Sequence, residues 1–246
     1  MAGRIALVLG LLLVWLIALM PLKAVALAAG GSQALGYRDV FGTIWQGRVY
    51  GLEVNGVPVR EVAVSLDPLA LLTGQLGGAW QIADTRLRGT GHVRLGRERM
   101  VFEQTDLTVT LDRLGLDRLP GLTRDAPIFA RIDRIELRDG ACLDASGIAQ
   151  SRALVSLASL SDRTGPALSG TFSCDGDQLV LDWGGAVEGL GIAGRVVFGD
   201  AAYDWTATVE TDWPDLADAL ALSGMTRDRG VWRASGRENY AAGVDG

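Results

Sequence analysis

The sequence predicts a mainly β protein: one N-terminal transmembrane helix, then a long curved antiparallel sheet with two short helices. Three observations carry this expectation: two-residue alternation of apolar and polar side chains, an unusual glycine content, and a long uncharged run near the start. Val62, Val64 and Leu66 alternate with Glu61, Ala63, Ser65 and Asp67. Leu107, Val109 and Leu111 alternate with Thr108, Thr110 and Asp112 in the same way, as do Tyr203, Trp205, Ala207 and Val209 with Asp204, Thr206, Thr208 and Glu210. Period two places one set on a buried face and the other in water, the pattern of an antiparallel sheet covered on one side. Glycine occupies 33 of 246 positions, against a usual share of about 7%. Asn55-Gly56, Asp139-Gly140 and Asp175-Gly176 stand between alternating runs, where tight hairpin turns need positive φ.

The first element is the apolar run. Ile5 to Met20 contains no charge, and Arg4 and Lys23 bracket it. At the α-helical rise, Ile5–Leu22 spans about 27 Å, close to the hydrocarbon thickness of a bilayer. Charges are penalised at mid-bilayer, so residues 5–29 are expected to insert between a cytoplasmic start at 1–4 and an extracytoplasmic remainder. Ala24-Val25-Ala26 and Ala26-Leu27-Ala28 would also suit signal peptidase, which leaves an uncleaved anchor and a cleaved signal peptide as alternatives. Either way the rest of the chain lies in one compartment, with a β-rich domain at 36–240 and a frayed tail at 241–246.

The helices come next. Asp67-Pro68-Leu69-Ala70-Leu71-Leu72-Thr73-Gly74 combines an N-cap Asp, proline at the first helical position and a closing glycine. Asp212 to Gly224 has the same order, with Pro214 and Asp215 early. Each follows an alternating strand and leads to a strand with tryptophan, Trp80 or Trp232, so strand, short capped helix, strand reads as a repeated unit; residues 107–121 are a degenerate third copy. A Gly-led pattern at Gly42, Gly89, Gly170 and Gly194 is expected to mark strand starts. No Pro- or Ser-rich linker divides the region, which reads as one domain or as two halves joined near 115–128.

Charge narrows the function classes. The chain carries 23 Lys+Arg against 29 Asp+Glu. Residues 1–30 hold two bases and no acid, so the remainder has 21 against 29. No basic stripe for nucleic acid and no polybasic segment beside the membrane is present. The two cysteines, Cys142 and Cys174, read most simply as one disulfide in an oxidising compartment, with two buried thiols as the alternative.

Catalytic motifs are not found. His92, the only histidine, sits in Gly-Thr-Gly-His-Val-Arg-Leu-Gly, a setting for an exposed strand or turn residue. The nearby glycines do not open a helix of a βαβ unit, and there is no GxSxG, Walker or HExxH sequence. Asp175-Gly176-Asp177 is too short for a calcium loop. No catalytic residue, cofactor or metal site is therefore expected, and the chain reads as a non-enzyme. Of seven tryptophans, Trp15 falls in the apolar run and Trp205 on an apolar strand face. Core packing is the first explanation for Trp205, Trp45 and Trp80, and ligand lining the second.

Gly42-Thr43-Ile44-Trp45-Gln46-Gly47, followed by Leu66-Asp67-Pro68 and onward to Gly74, resembles the type II secretion system protein N family. The cysteine pair, the Gly170-to-Gly176 context of Cys174, the Tyr203/Trp205 strand and the Leu216–Gly224 helix follow in the family's order. The residues that carry the family motif are Gly42, Thr43, Trp45, Gly47, Asp67, Pro68 and Gly74. The resemblance implies a single-pass inner-membrane protein with its bulk in the periplasm. Its expected role is that of a non-catalytic accessory subunit contacting other secretion subunits, inner-membrane components or the secretin. A different class shares the organisation: AsmA-like and bridge-type proteins hold lipid in an apolar β-groove behind one anchor. The two readings differ in whether the apolar face of the sheet is covered.

Overall fold

The computed structural model describes residue 15 and residues 19–24, 36–54, 57–68, 70, 74–110, 126–158 and 163–239. They form one antiparallel sheet of 14 strands. The strands are β1 Asp39–Gly42, β2 Gly47–Val54, β3 Val57–Leu66, β4 Leu76–Ala83, β5 Leu87–Leu95, β6 Arg99–Thr110 and β7 Pro127–Arg138. There follow β8 Ala141–Ser151, β9 Leu168–Asp175, β10 Gln178–Val187, β11 Leu190–Phe198, β12 Ala202–Thr211, β13 Thr226–Asp228 and β14 Val231–Asn239. Neighbours in sequence are neighbours in the sheet up to β12; β14 then pairs with β12, and β13 lies outside it at the edge. At about 4.8 Å between strands, the sheet runs roughly 60 Å from β1 to β13.

Short turns explain this simple order. A turn of two residues can only return the chain beside the strand it left. Asp139 and Gly140, both at positive φ (51° and 84°), join β7 to β8. Gly176, at φ 64°, makes the β9–β10 turn together with Asp177. That turn is one residue later than expected: Asp175 is the last residue of β9 and pairs with Gln178.

The helix expected at Asp212–Gly224 is present as α2, Pro214–Leu222. The other named helix is α1, Ala153–Ala158. α2 starts after Trp213, whose backbone N–H donates to the Thr211 hydroxyl at 3.0 Å, not from an Asp212 cap. It ends before Gly224 at φ 85°. α1 was not expected from the sequence. Its first amide, on Ala153, donates to the Ser151 hydroxyl at 3.3 Å, an N-terminal contact that the alternating pattern before it hides. Of the helix expected at 67–74, Pro68 and Ala70 are helical and residues 69 and 71–73 lie outside the described residues.

The expected span at 5–29 also lies mostly outside them. Leu22, Lys23 and Ala24 are helical. Among the described residues no helix is long and apolar enough to cross a membrane. The tail at 241–246, the Asn55-Gly56 turn and most of the third repeat copy, from residue 111 onward, fall outside as well. β6 pairs with β7 along both strands, so the sheet continues across the proposed junction near 115–128.

Candidate functional site

Residues directly opposite in an antiparallel ladder point to the same side, so the pairing assigns every side chain to a face. One face is apolar from β3 to β14. Val64 stands opposite Trp80, Val93 opposite Phe102, Phe102 opposite Ile135, Leu181 opposite Phe172 and Val196, and Val209 opposite Trp232. The β5–β6 ladder shifts by one residue between Thr90 and His92, where Gln104 stands at φ 48°. The β7–β8 ladder shifts between Ile132 and Arg134 and between Glu136 and Leu137, and the apolar residues stay on one side of the sheet through these irregularities.

Three tryptophans lie flat on this face, each across glycines of the adjoining strands. A Cβ on Gly91 would stand 2.9 Å from the Trp80 ring, and one on Gly89 3.1 Å from it. A Cβ on Gly236 would stand 2.8 Å from the Trp205 ring, and one on Gly194 would meet the Trp183 ring. Gly89, Gly170 and Gly194 were expected at strand starts; all three are inside strands. Their physical role is to leave room for indoles that would otherwise stand away from the sheet. Trp80, Trp183 and Trp205 are all half-buried against the sheet, each packed on cross-strand glycine, and among the tryptophans only Trp232 is in the buried core of the described residues.

Cover on the apolar face is uneven. α2 packs over the β11–β14 end, where Leu190, Val209 and Trp232 are buried beneath Trp213, Leu216 and Leu220. Arg163 and Arg227 stack on Trp213 and Trp232 at 5.1 and 5.5 Å from the ring centres. Ala153 of α1 packs with Ala126 and Ile128 at the β7 end. Elsewhere most of these side chains are only half-buried, and Leu76, Leu95 and Met100 are 50%, 36% and 38% exposed.

The opposite face is mostly polar, with Phe129 and Ile148 exposed on it, and is tied by ion pairs that cross strands. Arg134 donates to Glu103 at 2.6 Å and to Glu136 at 2.7 Å, and lies 3.4 Å from Asp144. Arg99 reaches Glu136 at 2.6 Å, and Arg94 reaches Glu103 at 3.1 Å. This network ties β5, β6, β7 and β8. Hydrogen bonds from Arg99 and then Arg134 hold the Glu136 carboxyl below the usual carboxylate range, against its desolvation. Arg195 bridges Asp182 at 2.6 Å and Asp175 at 2.8 Å, tying β9, β10 and β11. His92 is on this face, exposed, in β5.

The residues singled out from sequence fall at one end of the strands. Gly42 (φ 88°) closes β1, the Thr43 amide donates to the Gln46 carbonyl at 3.1 Å, and the Gln46 amide donates to the Thr43 hydroxyl at 3.3 Å. Trp45 in this turn is half-buried. Gly47 opens β2 against Leu22, and a Cβ there would collide with that leucine. Asp67 leaves β3 with its amide on the Gly77 carbonyl at 2.7 Å, and Gly74 at φ 74° returns the chain to β4. The two motifs occupy turns at the same end of the sheet, with β2 and β3 between them. Cys142 and Cys174 form a disulfide with Cα atoms 5.6 Å apart. It bridges β8 and β9 beyond Gly147 and Phe172, where their paired ladder ends. No group of His, Cys, Asp or Glu able to hold a metal occurs among the described residues.

Comparison with known proteins gives one family. Searches of curated proteins and of solved structures found no match. A family model described as type II secretion system (T2SS), protein N, matches residues 33–234, from just before the Gly42–Gly47 motif to β14. With that match over most of its length, the chain belongs to the type II secretion system protein N family.

Proposed function

We propose that the protein is an accessory component of the type II secretion apparatus, held in the inner membrane by residues 5–29. Residues 36–240 act in the periplasm, by contact with other subunits of the machine. The carrying observation is the family match over residues 33–234. The apolar run with its flanking Arg4 and Lys23 supports the anchor. The Cys142–Cys174 disulfide fits an oxidising compartment. Two features favour protein contact. β13 pairs with Val231–Arg233 of β14 only, so the outer edge of β14 from Ala234 to Asn239 meets no described strand and is open to strand addition. On the other face, arginines link neighbouring strands through ion pairs, and such a charged, cross-linked surface suits contact with a partner protein.

The lipid-carrier reading, taken instead of a secretion role, has no family match behind it. Its supporting observation, the partly uncovered apolar face, is compatible with a secretion subunit that also meets lipid.

A fusion of alkaline phosphatase to Gly246 tests the topology: the fusion is expected to be active, and an active cytoplasmic reporter at the same point would contradict it. For the contact, a photoreactive residue at Ser235, exposed on β14, is expected to crosslink to another secretion subunit in the native host. Adducts confined to proteins outside the apparatus would contradict it.

A further inference from the structure

We infer that the apolar face between β4 and β7 is a phospholipid site, with an acyl chain lying on the sheet and the headgroup at the β5–β6 hairpin. Leu76, Leu95 and Met100 are opposite one another on three successive strands, at the end of the sheet that carries the Thr43–Gln46 turn. All three are exposed, and they form a continuous apolar lip. A row of large exposed apolar side chains is unfavourable in water and marks a surface used against something apolar.

The same end receives the membrane-proximal segment. Pro21 bridges to Thr43, the Ile44 amide donates to the Met20 carbonyl at 3.1 Å, and Leu22 lies on Gly47. Gly47 faces Val64, which faces Trp80, so Leu22 rests on the apolar side of the sheet. The lip, two strands further on, therefore opens on the side where the chain approaches the bilayer. The inference rests on the bilayer attachment proposed above. Resistance of the same preparation to carbonate washing tests that attachment separately.

The floor behind the lip selects the occupant. Among the described side chains facing that way in β4 to β7, polar atoms belong to Thr105, whose hydroxyl donates to the Glu103 carbonyl at 3.4 Å, and to the Trp80 indole. A peptide laid here would lose water from its N–H and C=O groups without gaining partners, whereas an acyl chain has none to satisfy. The indole of Trp80, flat over Gly89 and Gly91, keeps the floor low enough for a chain to lie across strands. At the hairpin tip, Arg97 is exposed and makes no ion pair among the described residues, while Arg94 and Arg99 beside it are paired with Glu103 and Glu136. A free guanidinium next to an apolar lip suits a lipid phosphate.

The test places p-benzoylphenylalanine at Phe102, a half-buried aromatic position on the floor, and in a second preparation at exposed His92 on the polar face. The full chain is reconstituted in vesicles of phosphatidylethanolamine and phosphatidylglycerol, irradiated, and weighed intact. The expected result is a phospholipid-mass adduct at position 102 and its absence at position 92. A combined Leu95→Asp and Met100→Asp variant is expected to lose the adduct while keeping the Cys142–Cys174 bridge on a non-reducing gel. No lipid adduct at 102, equal adducts at both positions, or a polypeptide adduct at 102 would overturn the site. Survival of the adduct in the lip variant would overturn the proposed path into it.

Discussion

Trp183 lies over Gly194 of the neighbouring strand, in the space a side chain at that position would take. The same arrangement joins Trp80 to Gly91 and Trp205 to Gly236. Strand glycine is normally destabilising because it leaves a gap and frees the unfolded backbone. Here the cross-strand indole fills the gap. Gly194→Ala is expected to displace the ring and lower stability by about 1–3 kcal/mol, the usual cost of overpacking. Denaturant unfolding would measure it. Gly191→Ala, where an added Cβ meets nothing within 4 Å, is the control and should be near neutral or slightly stabilising. Equal effects at the two sites would remove the indole–glycine account.

The Cys142–Cys174 disulfide joins β8 and β9 past Gly147 and Phe172, where their ladder ends, beside the hydrogen bond from the Cys142 amide to the Asp177 carbonyl at 2.7 Å. Replacing both cysteines by serine is expected to cost roughly 3–4 kcal/mol through loop entropy, with secretion activity largely retained. Thiol labelling of the unfolded, unreduced wild-type chain should find no free thiol. Two per chain would contradict the pairing.

Stability should fall in acid through Glu136. Its folded-state pKa is depressed, first by the hydrogen bond from Arg99 and then by that from Arg134. A depressed carboxyl contributes stability that is fully present above its unfolded pKa, about 4.3 for Glu, and is lost as pH falls through the lower folded value. Glu136→Gln should therefore be less stable than wild type near neutral pH and show a shallower acid limb below about pH 4.3. Parallel limbs for the two proteins would exclude Glu136 as a contributor.

Several parts of this arrangement were legible in the sequence. The alternation at 61–67 and 203–210 matches the observed faces, because a side-chain period of two follows from strand geometry alone. Asp139-Gly140 and the Pro214 helix were legible because their signals are local. The glycines at 89, 170 and 194 were misread as strand starts, since their purpose appears only when the strand carrying the indole is beside them. The network around Arg134 draws on four strands spread from Arg94 to Asp144 and has no sequence period to betray it. Whether the apolar face is covered could not be read either, because alternation tells which residues share a face and nothing about what lies above it.

Deleting the gene in its native host and assaying type II substrates tests the central claim most directly. The account predicts less substrate in the medium and more in the periplasm, restored by the wild-type chain. Unchanged release of those substrates, with the outer-membrane barrier or lipid content altered instead, would contradict it.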